Sequence, residues 1–214
     1  MIRLLVVSWL ALRLPLASYG QVVDCQSIGF EEASFGGWQR WTGEVSPYIF
    51  PLTYKLAPGS LHSENGKYGH AITSLGDGYD PNVRERIPVV TPGSQHSVRI
   101  GDLEAGGYVD QLRTSFVVPP DKPLLRYQLA VVLQNPNHRP EHQPGFSLLV
   151  RAPTGDTIPC GYYEAVATNQ TADFIVQQSD EPSERLIYRN RTSHVLDLRA
   201  YLRRADPTVG GDRS

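Results

Sequence analysis

Apolar and polar residues alternate along the centre of this chain. From Leu124 it reads LLRYQLAVVL, with Leu125, Tyr127, Leu129, Val131 and Leu133 on one face and Arg126 and Gln128 on the other. Side chains on a pleated backbone point to alternate sides, so a period of two held this long predicts a strand laid across a hydrophobic interior. The segment before it, GYVDQLRTSFVV, places Leu112, Phe116 and Val118 on one side and Gln111, Arg113 and Ser115 on the other. After the loop QNPNHRPEHQPGF, the residues Phe146, Leu148 and Val150 alternate again. Further strands are expected on either side of a Gly-rich turn within residues 26–43, and at His70–Ser74, Ile87–Thr91, His96–Ile100, Thr157–Tyr163, Asp173–Gln177 and Ser193–Ala200. In the last of these Leu196 and Leu198 face inward while Asp197 and Arg199 face solvent. Residues 44–69, with Pro47, Pro51 and Pro58, read as an irregular segment wrapping the surface, and LGDGYDPNV as a tight turn.

Many short strands punctuated by Gly, Pro and Asp predict an all-β protein, an antiparallel β-sandwich of jelly-roll or Greek-key wiring. Residues 1–20 read as an export signal: Arg3, an apolar run from Leu4 to Leu12, then Ser18 and Gly20 before Gln21. That run is too short to span a bilayer, which takes about 20 residues. The sandwich is assigned to residues 21–202, and residues 203–214 form an irregular tail without strand pattern. A formal net charge of −2 leaves no electrostatic footprint for nucleic acid.

Export would permit a disulfide between the two cysteines, Cys25 and Cys160. Closing so long a loop would stabilise the fold by about 4–5 kcal/mol in the chain-entropy picture. Two unpaired thiols are the other reading, because spacing cannot bring two Cα atoms together. His138 and His142 have metal-like spacing around Glu141, but Pro140 and Pro144 forbid the helix that presents such pairs, so a loop-shaping role is expected and no metal site is assigned. Asp77 and Asp80, among Gly76 and Gly78, make an oxygen-rich turn; calcium wants six or more oxygens, and turn formation explains the same residues. Trp38 is read as core and Trp41 as a candidate aromatic platform for sugar rings. No G-x-S-x-G elbow, H-E-x-x-H pair or phosphate loop is found, so a non-catalytic role is expected. The sequons at Asn169 and Asn190 would accept N-glycans in a eukaryotic secretory route.

FEEASFGGW, HAITSLGDGYDP, VRIGDLEAGGYVDQLRTSF, the YQLAVVLQNPNH…HQPGF block and YRNRTSHVLDLRAYL occur in that order. Together they resemble a jelly-roll module of secreted and cell-surface proteins in gliding, Bacteroidetes-type bacteria, similar to galactose-binding and MAM-type sandwiches. The resemblance spans nearly all of residues 26–202. It implies adhesion, with a glycan or a cell-surface protein as partner. Related modules often hold a structural calcium near the end of the first strand, where Glu31 and Glu32 lie, against the last strand.

After a segment like DLRAYL such modules continue with a Gly, a V-x-I-x-F strand and a DC…GGHFGYAY segment. Here RRADPTVGGDRS stands instead. A truncated sandwich lacking its last strands is therefore expected, with lowered stability, or else a strand supplied by another chain. The later Cys is lost with that segment, and the resemblance implies that Cys25 or Cys160 is left without its family partner.

The binding surface is expected at the loops 70–82 and 134–145, with Trp41, His70, Asp77, Asp80, His138 and His142 as ligand-binding candidates and no cofactor. A structural or assembly module, a truncated non-functional fragment of a larger surface protein, and a glycoside-hydrolase-associated domain are the competing readings.

Overall fold

The computed structural model describes residues 2–5, 28–46, 53–59, 69–101, 107–139, 142–168, 173–178, 181 and 185–202. In chain order the strands are β1 (Ile2–Leu5), β2 (Trp38–Ser46), β3 (Thr53–Pro58), β4 (His70–Ser74), β5 (His96–Ile100), β6 (Tyr108–Phe116), β7 (Leu124–Gln134), β8 (Gly145–Arg151), β9 (Thr157–Val166), β10 (Ile175–Gln177) and β11 (Leu186–Asp197). They form a six-stranded sheet, β3-β2-β6-β1-β8-β9, a three-stranded sheet, β10-β11-β7, and the hairpin β4-β5. Among the described residues every strand pairing is antiparallel. The protein is an all-β sandwich.

The interior follows from the alternation. Phe116, Val118, Leu148, Val150, Ile158 and Ala165 from the six-stranded side meet Leu129, Val131 and Leu196 from β7 and β11. Leu125, Tyr127 and Leu133 pack against the same cluster, so the face predicted for β7 is the face that is buried. Leu198 is buried and Asp197 and Arg199 are exposed, as the pattern at the end of β11 requires. Tyr127 and His194 stand opposite one another in register and stack at 5.0 Å with their planes 8° apart. Tyr163 closes edge-on against His194 from β9.

Ile2–Leu5 fall within the stretch that reads as an export leader. In the structure they lie between β6 and β8, with Leu4 level with Thr114 on one side and Val150 on the other. Cleavage before Gln21 would therefore take a strand out of the larger sheet. Residues 203–214 and Cys25 lie outside the described residues.

Several expectations are corrected. The described part of residues 26–37 is a run of turns rather than a strand: Phe30, Ala33 and Gly37 all have positive φ, and Ala33 N–H and Trp38 N–H each close a turn on the carbonyl three residues earlier. Residues 44–69 are not all irregular, since β2 continues to Ser46 and β3 pairs along it. Pro58 is compatible with that strand because β3 is at the sheet edge, where a missing N–H breaks no ladder. Ile87–Thr91 is a loop with one isolated bridge, Tyr79 to Pro88. The strand expected to begin at Ser193 starts at Leu186, and a register shift between Arg189 and Thr192 is what broke the periodicity.

The end of β11 has a testable electrostatic feature. The Asp197 carboxylate accepts from Arg199 Nε at 2.8 and 2.9 Å and from the Arg199 backbone N–H at 3.0 Å, and Nη2 also reaches it. These bonds, the guanidinium first, hold its carboxyl down at about 2. A depressed carboxyl favours the folded state above its unfolded value of about 3.9, and that contribution disappears as pH falls through about 2. Because the pair is exposed, the check is NMR titration rather than melting. Asp197 should titrate near 2 in the native chain, and in Arg199→Ala it should move back toward the ordinary aspartate value.

Candidate functional site

The loop from Leu75 to Thr91 is tied down along its length by hydrogen bonds and packing. It starts where β4 ends. Ser74 N–H donates to Asp77 Oδ2 at 2.7 Å, and Leu75–Asp77 make one 3-10 turn. Gly78 follows at φ +75°, a left-handed conformation that glycine adopts without a Cβ penalty. Asp80 Oδ1 then accepts from the backbone N–H groups of Asn82 and Val83 at 2.9 and 3.2 Å. Both carboxylates thus cap turns, the same use of Asp that makes it frequent in such loops.

The two halves of the loop are tied together and to the sandwich. Val89 N–H donates to Gly78 O and Asp80 N–H to Ile87 O, a short ladder around the Tyr79–Pro88 bridge. Val83 and Ile87 are buried against Leu186 and Tyr188, with Ala130 and Val132 alongside. These β7 residues alternate with Leu129 and Val131, so the loop covers the outer face of β7 and β11. Arg86 donates to Tyr188 OH at 2.6 Å with its guanidinium 5.5 Å from the ring centre. Arg191, on β11, donates to Thr91 Oγ1 at 2.6 Å and to Pro88 O at 2.7 Å. Burial pushes the Arg191 guanidinium below its ordinary value. Glu31 Oε2 accepts from Gln95 N–H at 2.9 Å; this bond leads the causes that lower its carboxyl.

Above this framework, Leu75 is 59% and Tyr79 50% exposed. Sequence reasoning singled out the loop but not these two residues. The signal was present: a Leu and a Tyr in an otherwise Gly/Asp turn have no structural duty that the turn demands.

The other sequence candidates fall in different settings. His70 is buried and its Nε2 donates to Gln111 O at 3.1 Å, tying the β4-β5 hairpin to β6. Trp41 is half-buried on β2 with the Arg113 guanidinium 5.0 Å from its ring centre, so a cation already covers one of its faces. Trp38 stacks on Phe30 at 4.9 Å. His138 and His142 are exposed in the loop after β7, which Asn135 organises: its Oδ1 accepts from Asn137 N–H and from Gln143 Nε2, both at 3.2 Å. Gln143 Nε2 also lies 3.1 Å from His138 O. Among the described residues no three His, Cys, Asp or Glu side chains converge as a metal site. Cys160 is exposed and free, so the expected bridge finds no support. Among the described residues no helix is long and apolar enough to cross a membrane.

Against this geometry, no protein-family model, curated protein or solved structure matches the chain.

Arg191→Ala isolates the clamp. Two hydrogen bonds from a charged donor are worth roughly 1.5–3 kcal/mol each when buried, and at half burial about 1–2 kcal/mol in total is expected. Urea titration should show that loss, and hydrogen exchange should rise at Val89 and Thr91 while the amides of β7 stay slow.

Proposed function

We propose that this chain is a secreted, non-catalytic binding module that recognises a glycan or a protein at a cell surface and so serves adhesion. One observation carries the reading: Leu75 and Tyr79 stay exposed on a loop fixed from both sides by backbone, carboxylate and guanidinium bonds. Loops held by a rigid scaffold are where binding residues concentrate. An aromatic ring already set in place loses little entropy on contact, and its face stacks on the C–H surface of a sugar or on an apolar side chain. The resemblance to jelly-roll modules of surface proteins agrees with secretion and adhesion.

The full chain, fluorescently labelled, is to be applied to a glycan array and to intact bacterial and eukaryotic cells. Saturable binding to a restricted set of glycans or to one cell type is the expected result. A folded sample that binds none of these surfaces removes the proposal.

A second reading, an assembly module, is favoured by a different observation: a strand as short as β1 fills the gap between β6 and β8.

A further inference from the structure

Trp41 on β2 and Gln111 on β6 are partners in register, so their side chains leave the sheet together on one face. Gln111 alternates with Leu112 and lies on the opposite face from Phe116, which belongs to the interior cluster; yet Gln111 is fully buried. Its Oε1 accepts from Arg113 Nε at 2.7 Å. A guanidinium can only donate, so this bond decides which end of the amide is oxygen and leaves Nε2 on the other side. The Trp41 ring centre stands 5.0 Å from the same guanidinium, and the indole nitrogen is likewise only a donor. Among the described residues neither Gln111 Nε2 nor Trp41 Nε1 has a hydrogen-bond partner, and both nitrogens are shielded from solvent.

Buried donors left unbonded are rare in native proteins, because each has given up its water without a replacement. Here two occur on directly opposed residues, with one cation against both. Whatever satisfies them has to accept. The two strands do not supply it: the residues on this face, Gln39, Trp41 and Gly43 on β2 and Val109, Gln111 and Arg113 on β6, include no carboxylate. The Gln111 carbonyl is taken by His70 and its side-chain oxygen by Arg113. A water molecule suits such neighbours poorly, since its own hydrogens would need acceptors. An anion has no such need, and the guanidinium beside it favours negative charge. Burial of both nitrogens selects a small one, a single atom rather than a tetrahedral oxyanion or an organic acid.

We infer that Gln111 Nε2 and Trp41 Nε1, beside the Arg113 guanidinium, form a binding site for one halide ion, chloride in ordinary salt. The ion takes a hydrogen bond from a side chain of each strand, bridges β2 to β6, and stabilises the folded chain by mass action. None of these residues belongs to the loop that carries Leu75 and Tyr79.

The full chain is to be melted in sodium gluconate, with chloride replacing gluconate stepwise so that ionic strength and general screening stay constant. Tm should be flat at low chloride and then climb by about 3–6 °C for each tenfold rise. Bromide should act in the same way. Trp41→Phe keeps a ring against Arg113 but has no N–H, so the onset of the rise should move to roughly tenfold more chloride. Gln111→Glu sets a carboxylate where the ion is held and should abolish the response. A native chain whose Tm ignores chloride overturns the site, and so does an onset that Trp41→Phe leaves in place. Crystals of the native chain soaked in bromide decide the matter if the variants do not fold. An anomalous peak within hydrogen-bond distance of both nitrogens is expected, and its absence there overturns the inference.

Discussion

Val150→Asp leaves no folded protein at 25 °C. Val150 is 0% exposed, in the cluster that joins the two sheets, with β1 on one side and β9 on the other. A carboxylate there either stays charged, at a prohibitive desolvation cost, or takes up a proton and still finds no hydrogen-bond partner among Phe116, Leu129, Leu148 and Ile158. The loss is roughly 5 kcal/mol or more, comparable with the whole stability of many domains. Val150→Ala removes only two methyl groups and should cost roughly 2 kcal/mol. Circular dichroism and thermal melting separate the two: a disordered spectrum for the aspartate, a cooperative but lowered transition for the alanine. A cooperative melt in Val150→Asp would show that this position is not interior.

Gly161→Val should lower stability by about 3 kcal/mol, a drop of roughly 6–12 °C for a chain of this size. β9 breaks register opposite Leu149–Arg151, and Cys160 at the break has φ +58°. The chain turns so tightly here that a Cβ on Gly161 would stand 2.6 Å from Ile158 Cγ1, 2.9 Å from Ile158 O and 3.0 Å from Val150 O. Two of those three atoms are backbone and cannot swing aside. The clash belongs to the Cβ, so Gly161→Ala should share most of the loss. Gly76→Ala, whose Cβ meets nothing within 4 Å, should stay within about 0.5 kcal/mol of the native chain. Equal melting of the Gly76 and Gly161 variants would remove the tight break in β9.

The strands that alternate for seven or more residues could be read directly, because burial on one face leaves a period of two in the sequence. β6, β7 and β8 are of this kind, and their predicted inward residues form the interior. β11 was legible only past its register shift, since an added residue changes which side each later side chain faces. β1 left no trace as a strand: IRLL has no alternation, and the same residues satisfy the pattern of an export leader. Polarity also misplaced Gln111. It falls on the polar side of β6 yet is fully buried, its Oε1 accepting from Arg113 Nε at 2.7 Å and its carbonyl accepting from His70. Contacts between β4 and β6, 41 residues apart, have no signature along the chain.

For the candidate site, the turn chemistry of Asp77 and Asp80 was readable because Asx turns are local. The clamps from Arg86 and Arg191 were not, since each joins residues about a hundred positions apart. Those clamps are what turn a Gly-rich loop into a fixed surface.

The recognition surface itself is tested most directly by a paired binding measurement on the full chain and on Leu75→Ser/Tyr79→Ser, using whichever glycan or cell surface the native chain selects. The variant should melt within about 0.5 kcal/mol of the native chain, because both side chains are exposed, yet bind at least tenfold more weakly. Undiminished binding by a variant of unchanged stability would contradict the account.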